Sequence, residues 1–242
     1  MLLKRGKYCC IIYNGRLRHG GGILISLDDI KRCDAVNTYI TAADESLIAL
    51  GYTEHSFAHV GRVSDTAGKI LAQLSYPEKD VELAKIAGYL HDIGNLVNRE
   101  EHSQSGAVMA FRILDKLGMD AADIAKVVTA IGNHDEGTGV AVNPIAAALI
   151  LADKTDVRRS RVRNSDTASF DIHDRVNYSV EGSELEIDVE KKIIRLVLTI
   201  DTEIGSVMDY FEIFLTRMIM CRRAAERLGL SFKLSINGQQ LM

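Results

Sequence analysis

The sequence predicts a mostly α-helical protein with a small α+β unit of order strand–strand–helix–strand at its C-terminal end. Three observations predict this. Apolar residues recur at helical spacing from Ser26 to about residue 174. Only two prolines and no tryptophan occur among 242 residues, as suits helices with short connections. After about residue 175 the apolar period drops to two. The chain divides accordingly into an N-terminal segment (1–26), a helical region (27–174) and an α+β unit (175–242).

The first segment, MLLKRGKYCCIIYNGRLRHGGGILIS, fits either a β-hairpin turning at Asn14-Gly15 or a poorly packed tail. Ser26 or Asp28 then caps a helix through Leu50, stopped by Gly51. Residues 55–75 carry a helical stripe of Val60, Val63, Ala67, Ile70, Leu71 and Leu74. Pro77, Glu78 and Asp80 open a helix with Val81, Ala84, Ala87 and Leu90 that stops at Gly94. Further helices fit 102–117, 120–133 and 143–158. In the C-terminal unit, Leu185, Ile187 and Val189 alternate with acidic residues. After a turn at Glu190-Lys191-Lys192, Ile194, Leu196, Leu198 and Ile200 repeat the alternation, so two antiparallel strands with one buried face are expected. Ser206 caps a helix to Leu228, closed by Gly229, and Phe232, Leu234 and Ile236 form the last strand.

Composition narrows the function classes. Apolar residues are 47% and charged residues 26%, ordinary for a soluble globular chain. A formal net charge of −4 gives no reason to expect a nucleic-acid polymer as partner. No apolar run is long enough for a membrane span, and Cys9 to Tyr13 is too short for a signal-peptide core. The four cysteines, Cys9, Cys10, Cys33 and Cys221, have neither zinc-knuckle nor redox spacing and read as reduced thiols of a cytoplasmic protein.

The chemistry lies in six potential ligands: His59, His91, Asp92, His102, His134 and Asp153. Imidazole and carboxylate together suit one or two ions of Mn, Fe, Co or Zn better than Mg. His91-Asp92 stands just before Gly94. Adjacent helical residues point about 100° apart, so the two share an ion only at a helix tip. His55 lies four residues before His59 on the same face and is a candidate substrate contact.

The segments YLHDIG, HSFAHVGRVS and ALILADKTD together resemble the HD superfamily of metal-dependent phosphohydrolases. Its His…His-Asp…Asp pattern falls on His59, His91, Asp92 and Asp153. The resemblance implies a helical bundle, divalent metal and phosphoester hydrolysis through metal-activated water. HSQSG and NHDEGTG are similar to the additional ligand segments of the two-metal branches, which adds His102 and His134. The likeness to the HD-GYP phosphodiesterases is partial. Asn133-His134 replaces paired histidines, Asn95 replaces a lysine, and the Gly-Tyr-Pro element is absent. That puts cyclic-di-GMP hydrolysis in doubt but not a two-metal site.

Asp92 is the natural bridge between two ions, since a carboxylate has two oxygens. Glu54, Asp135 and Glu136 are candidates to fix the histidine tautomers; Asp156 can orient Lys154 or join that outer layer. Lys154, Arg158 and Arg62 are expected to neutralise substrate phosphate, with Lys154 close to the chemistry and Lys154 and Arg158 on one helical face. The basic run from Arg158 to Arg163 also reads as a solvated helix end. The substrate expected is a nucleotide or related small phosphoester. The alternative is a metal-containing nucleotide-sensing module without turnover; a purely structural metal site is the weakest reading, since such sites are usually closed. A homo-oligomer is compatible with the sequence, and the C-terminal unit can serve substrate selection or a dimer contact.

Overall fold

A computed structural model describes residues 25–164 and 170–241; the expected hairpin or tail of 1–24 lies outside them. Nine helices, each starting where a cap or an apolar stripe begins, and four strands make up the described residues. The helices are α1 (Leu27–Lys31), α2 (Asp34–Ala49), α3 (Phe57–Gln73), α4 (Glu78–Leu90), α5 (His102–Leu117), α6 (Ala121–Gly132), α7 (Pro144–Lys154), α8 (Ile172–Ser179) and α9 (Val207–Arg227). The strands are β1 (Val180–Asp188), β2 (Ile193–Ile200), β3 (Ser231–Ile236) and β4 (Gln239–Gln240). Short 3-10 turns cover Ile93–Leu96 and Arg159–Arg161.

Helix α7 is the axis of the bundle. Pro144 opens it, Asn143 Oδ1 accepts from Ala146 N at 2.7 Å, and every residue from Ile145 to Lys154 is buried. A helix apolar all round belongs in a core, and α3, α4, α6 and α9 all pack against it. The stripe expected on α3 faces inward, with Val60, Val63, Ala67, Ile70 and Leu71 buried. Gly88 lets α3 and α4 close up: a Cβ there would stand 2.7 Å from the Ser64 Cα. This approach brings His59 of α3 beside His91, the C-cap of α4.

The sheet has order β1-β2-β3-β4. The β1–β2 pair is antiparallel, with Leu185 opposite Leu196 and Ile187 opposite Ile194. The β2–β3 pair is parallel, which demands a long crossover, and α9 supplies it. Ser206 caps α9 in a capping box with Asp209. α9 packs against both β3 and α7, and one apolar core runs unbroken from Ile25 to Ile236.

Four expectations are corrected. The helix read from Ser26 to Leu50 breaks at Cys33, whose extended backbone separates α1 from α2. The helix read over 143–158 ends at Lys154. Thr155 caps it, its hydroxyl donating to the Leu151 carbonyl at 2.6 Å, so Arg158 is not on its face. Gly94 is not a left-handed stop. It sits within the 3-10 turn, and its use is contact: α5 passes so close that only hydrogen fits. Val189 lies beyond β1 and is exposed.

Candidate metal centre

Five helix ends meet around one carboxylate. Asp92 follows the tip of α4. Its Oδ2 lies 3.5 Å from His59 Nε2 and 3.2 Å from His91 Nε2. Its Oδ1 lies 3.5 Å from His102 Nε2 and 4.0 Å from His134 Nε2. Asp153, in the last turn of α7, places Oδ1 3.4 Å from His59 Nε2 and 3.6 Å from His91 Nε2. All six expected ligands therefore lie together, all largely shielded from solvent. Five of them, all but His102, form two overlapping triads with ligand atoms within 4.8 Å of one another: His59, His91 and Asp153, and His91, Asp92 and His134.

The rings are held from behind. His91 Nδ1 is 2.8 Å from the Gly88 carbonyl, His102 Nδ1 is 3.1 Å from that of Arg99, and His134 Nδ1 is 2.6 Å from that of Ile131. Each acceptor is the residue three positions earlier. A carbonyl can only accept, so each Nδ1 carries the proton and each Nε2 offers a lone pair. His59 does the same with a side chain: its Nδ1 is 2.7 Å from Asp156 Oδ2. None of Glu54, Asp135 and Glu136 hydrogen-bonds to a ligand ring. Of the residues named from sequence, only Asp156 fixes a tautomer.

The donor set fits a cation. His59 Nε2, His91 Nε2 and Asp92 Oδ2 are buried without hydrogen-bond partners, a costly state unless something fills the space between them. His102 Nε2 and His134 Nε2 stand 3.1 Å apart with both Nδ1 protons turned away, lone pair against lone pair. Positive charge between them removes that repulsion. His/Asp sets of this kind suit first-row divalent ions.

The fields show the same demand for positive charge. Burial works against protonation of His91, but the Asp92 charge and the nearby Asp153 carboxylate outweigh it and push its pKa up to about 10, so without a cation this ring holds on Nε2 a proton that an ion would displace. Burial also opposes ionisation of Asp92 and Asp153, yet both stay well below the usual carboxylate range. For Asp92 the winning influence is His91; for Asp153 it is Lys154. His134 is held well below its ordinary value by burial and the neighbouring His91. The acids therefore remain charged and His134 remains an uncharged donor.

The basic residues do not stand where the sequence reading put them. Lys154 is only 5% exposed, and its ammonium lies 2.7 Å from Asp153 Oδ2 and 3.4 Å from Glu136 Oε2. It pairs with Asp153, an expected ligand, and two carboxylates already share its charge. Lys154→Met is therefore expected to weaken metal affinity roughly 10–100-fold, the usual effect of losing an outer partner. Metal titration of the variant checks this; an unchanged affinity would return Lys154 to the substrate.

Arg158 bonds Glu54 Oε2 at 2.7 Å and Asp156 Oδ1 at 3.0 Å, and Arg62 reaches Asp156 Oδ1 at 3.5 Å. Both stand behind Asp156, on the Nδ1 side of His59, away from the atoms that face the ligand cluster. Arg161, read as part of a solvated end, is buried and donates to the Glu54 and Asp156 carbonyls. His55 does lie beside the cluster, its ring 5.5 Å from that of His59.

A family model described as HD domain matches residues 56–196. The chain belongs to the HD domain family. An uncharacterized protein of Methanocaldococcus jannaschii is 27% identical over 202 residues, 74% of this chain and 77% of that protein. Ribonuclease Y 1 of Pediococcus pentosaceus is 32% identical over 125 residues, covering 50% of this chain and 22% of that protein. Ribonuclease Y of Enterococcus faecalis is 27% identical over 146 residues, 57% of this chain and 26% of that protein. The HD chain thus matches only about a quarter of those ribonucleases' length. A crystal structure described as a predicted HD superfamily hydrolase, from an uncultured Thermotogales bacterium, aligns with 24% identity and a TM-score of 0.38 over 55% of this chain and 75% of that one. Among the described residues of this HD protein, no helix is long and apolar enough to cross a membrane.

Proposed function

We propose that the protein hydrolyses a small phosphoester, a nucleotide or a related molecule, using one or two divalent cations at the His/Asp cluster. His59, His91, Asp92 and Asp153 would hold one ion; Asp92, His102 and His134 would hold the second. The observation that carries this reading is the split of Asp92, one oxygen toward His59 and His91 and the other toward His102 and His134. That is the arrangement a bridging carboxylate needs. When bound, such ions supply Lewis acidity: they polarise phosphoryl oxygens and lower the pKa of coordinated water from 15.7 toward ~7.

The chain's own residues do the rest. Asp156 and three backbone carbonyls fix the imidazole tautomers, and Lys154 holds Asp153 in place. Burial of the cluster lowers the local dielectric and strengthens each of these charges.

The test is elemental analysis of the purified protein, then assay of a nucleotide panel with Mn, Fe, Co or Zn added. Release of phosphate or nucleoside that a chelator stops is expected. Metal uptake with no turnover of any phosphoester would favour the second reading, a nucleotide-sensing module. A single-stranded RNA oligonucleotide belongs in the panel, because two relatives are named ribonucleases. The net charge of −4 argues against a polymer.

A further inference from the structure

We propose that a cavity of about 370 Å³, walled by Tyr52, Arg99 and helices α8 and α9, receives the substrate, with Arg99 and Arg217 gripping its phosphate and α8 selecting a small hydroxyl- or amine-bearing remainder. This rests on the function proposed above and names the substrate class and the residues that choose it.

None of the six ligands lines the cavity, but three of its wall residues connect to the cluster. His55 lines it and packs its ring on His59. Arg99 lines it and donates to Asn95 Oδ1 at 3.3 Å, while Asn95 Nδ2 donates to Asp92 Oδ1 at 3.1 Å. Arg217 lines it and lies 2.6 Å from Glu136 Oε1, and Glu136 in turn meets Lys154. A volume of this order is at the small end of those that hold small-molecule ligands.

Charge gives the cavity a direction. Arg99 is half-buried, lies over the Tyr52 ring at 5.6 Å, and has no carboxylate partner among the described residues. A half-buried cation with no counter-ion among the described residues, beside a candidate metal site, calls for an anion. Arg217 rests on Phe214 at 4.6 Å, and its one acidic neighbour among the described residues, Glu136, is shared with Lys154. Guanidinium groups bind phosphate through paired donors and cannot ligate a cation.

The other wall, from α8, carries Asp171, Asp174 and Asn177. Asn177 spends its Nδ2 on the His173 carbonyl at 2.9 Å, which leaves Oδ1 to accept. His55 Nδ1 is tied to the Thr53 carbonyl at 2.7 Å, so its Nε2 also accepts. Acceptors at this end fit hydroxyl or amine donors, and the carboxylates repel a second phosphate. The substrate is therefore a small phosphomonoester rather than a strand with phosphates on both sides.

The experiment is calorimetric titration of the metal-loaded full chain with inorganic phosphate, adenosine monophosphate and an RNA tetranucleotide. Arg99→Gln is expected to weaken phosphate and adenosine monophosphate binding about 10–100-fold, the worth of a charged hydrogen bond, with metal content unchanged. Arg217→Lys, which can keep the Glu136 pair, should give a smaller loss in the same direction. Asn177→Ala should leave phosphate binding intact and weaken only the nucleotide.

The proposal falls if both arginine variants bind the two probes as the unaltered protein does, or if the unaltered metal-loaded protein binds neither. Tighter binding of the tetranucleotide than of the mononucleotide would overturn the substrate class. Binding that depends on Arg99 in a protein that hydrolyses nothing would leave the pocket standing and sink the hydrolase reading. Turnover indifferent to both arginines would do the reverse.

Discussion

Asp92→Ala is expected to lower turnover by on the order of 10³-fold or more and to halve the bound metal at saturation. The rate estimate follows from the chemistry lost, since lowering the pKa of water from 15.7 toward ~7 depends on the cations Asp92 would hold. The metal estimate follows from geometry. The sites around His59 and His102 share no other carboxylate: Asp153 Oδ1 reaches His59 and His91, and no ion pair joins it to His102 or His134. Without Asp92, the second site keeps two neutral imidazoles and no charge. The fold should survive, because the local turn is closed by the Asp92 carbonyl, which accepts from Asn95 N at 3.0 Å and from Asn95 Nδ2 at 2.9 Å. Kinetics with elemental analysis and circular dichroism checks all three parts. A variant with near-normal turnover and two ions would show that Asp92 does not bridge.

Gly94→Ala should be the most damaging methyl group in the bundle. A Cβ at position 94 would stand 2.0 Å from the His102 carbonyl oxygen and 2.4 Å from the Gly106 nitrogen. Both are backbone atoms of α5, so no rotamer change relieves the clash. The first turn of α5 would have to retreat, and His102 with it. We expect a loss of about 3 kcal/mol or more, at or past the upper end for overpacking. That corresponds to a fall in Tm of roughly 6–12 °C or more for a chain of this length. Thermal unfolding with and without added metal measures it. A melting point within about 1 °C of the unaltered protein would mean that α5 slides freely, contrary to the close packing described.

Much of this was legible in the sequence because the ligands sit at helix ends marked by local chemistry. Proline and serine caps announced α4 and α9, and the switch to period two announced β1 and β2. His91-Asp92 could be placed at a tip because Gly94 follows, although the glycine serves contact with α5 rather than a left-handed turn. What was hidden is what depends on distant pairing. Arg217 reaches Glu136 from another part of the chain, and no periodicity reports that. Lys154 follows a ligand in sequence, which suggested a role toward substrate; only packing reveals that α7 has no solvent face at that position. The break at Cys33 carries neither glycine nor proline to signal it. Helix α8 is eight residues long, too short for a clear stripe, though Asp171 with Asp174 three residues on is a capping pattern that could have found it.

The backbone carbonyls behind His91, His102 and His134 also bear on how metal arrives and leaves. Because each ring is tied to a backbone carbonyl three residues before it, its rotor is stopped when the local backbone folds, and the conformational entropy is surrendered during folding. An incoming ion then has few side chains left to order and has to displace the His91 proton and shed its own water shell. Affinity at such a centre does not double as folding energy, unlike that of small domains that collapse only around zinc. A chelator should therefore strip the cations and leave a structured, reloadable protein, so metal exchange can follow the cell's supply of each ion without cycles of unfolding.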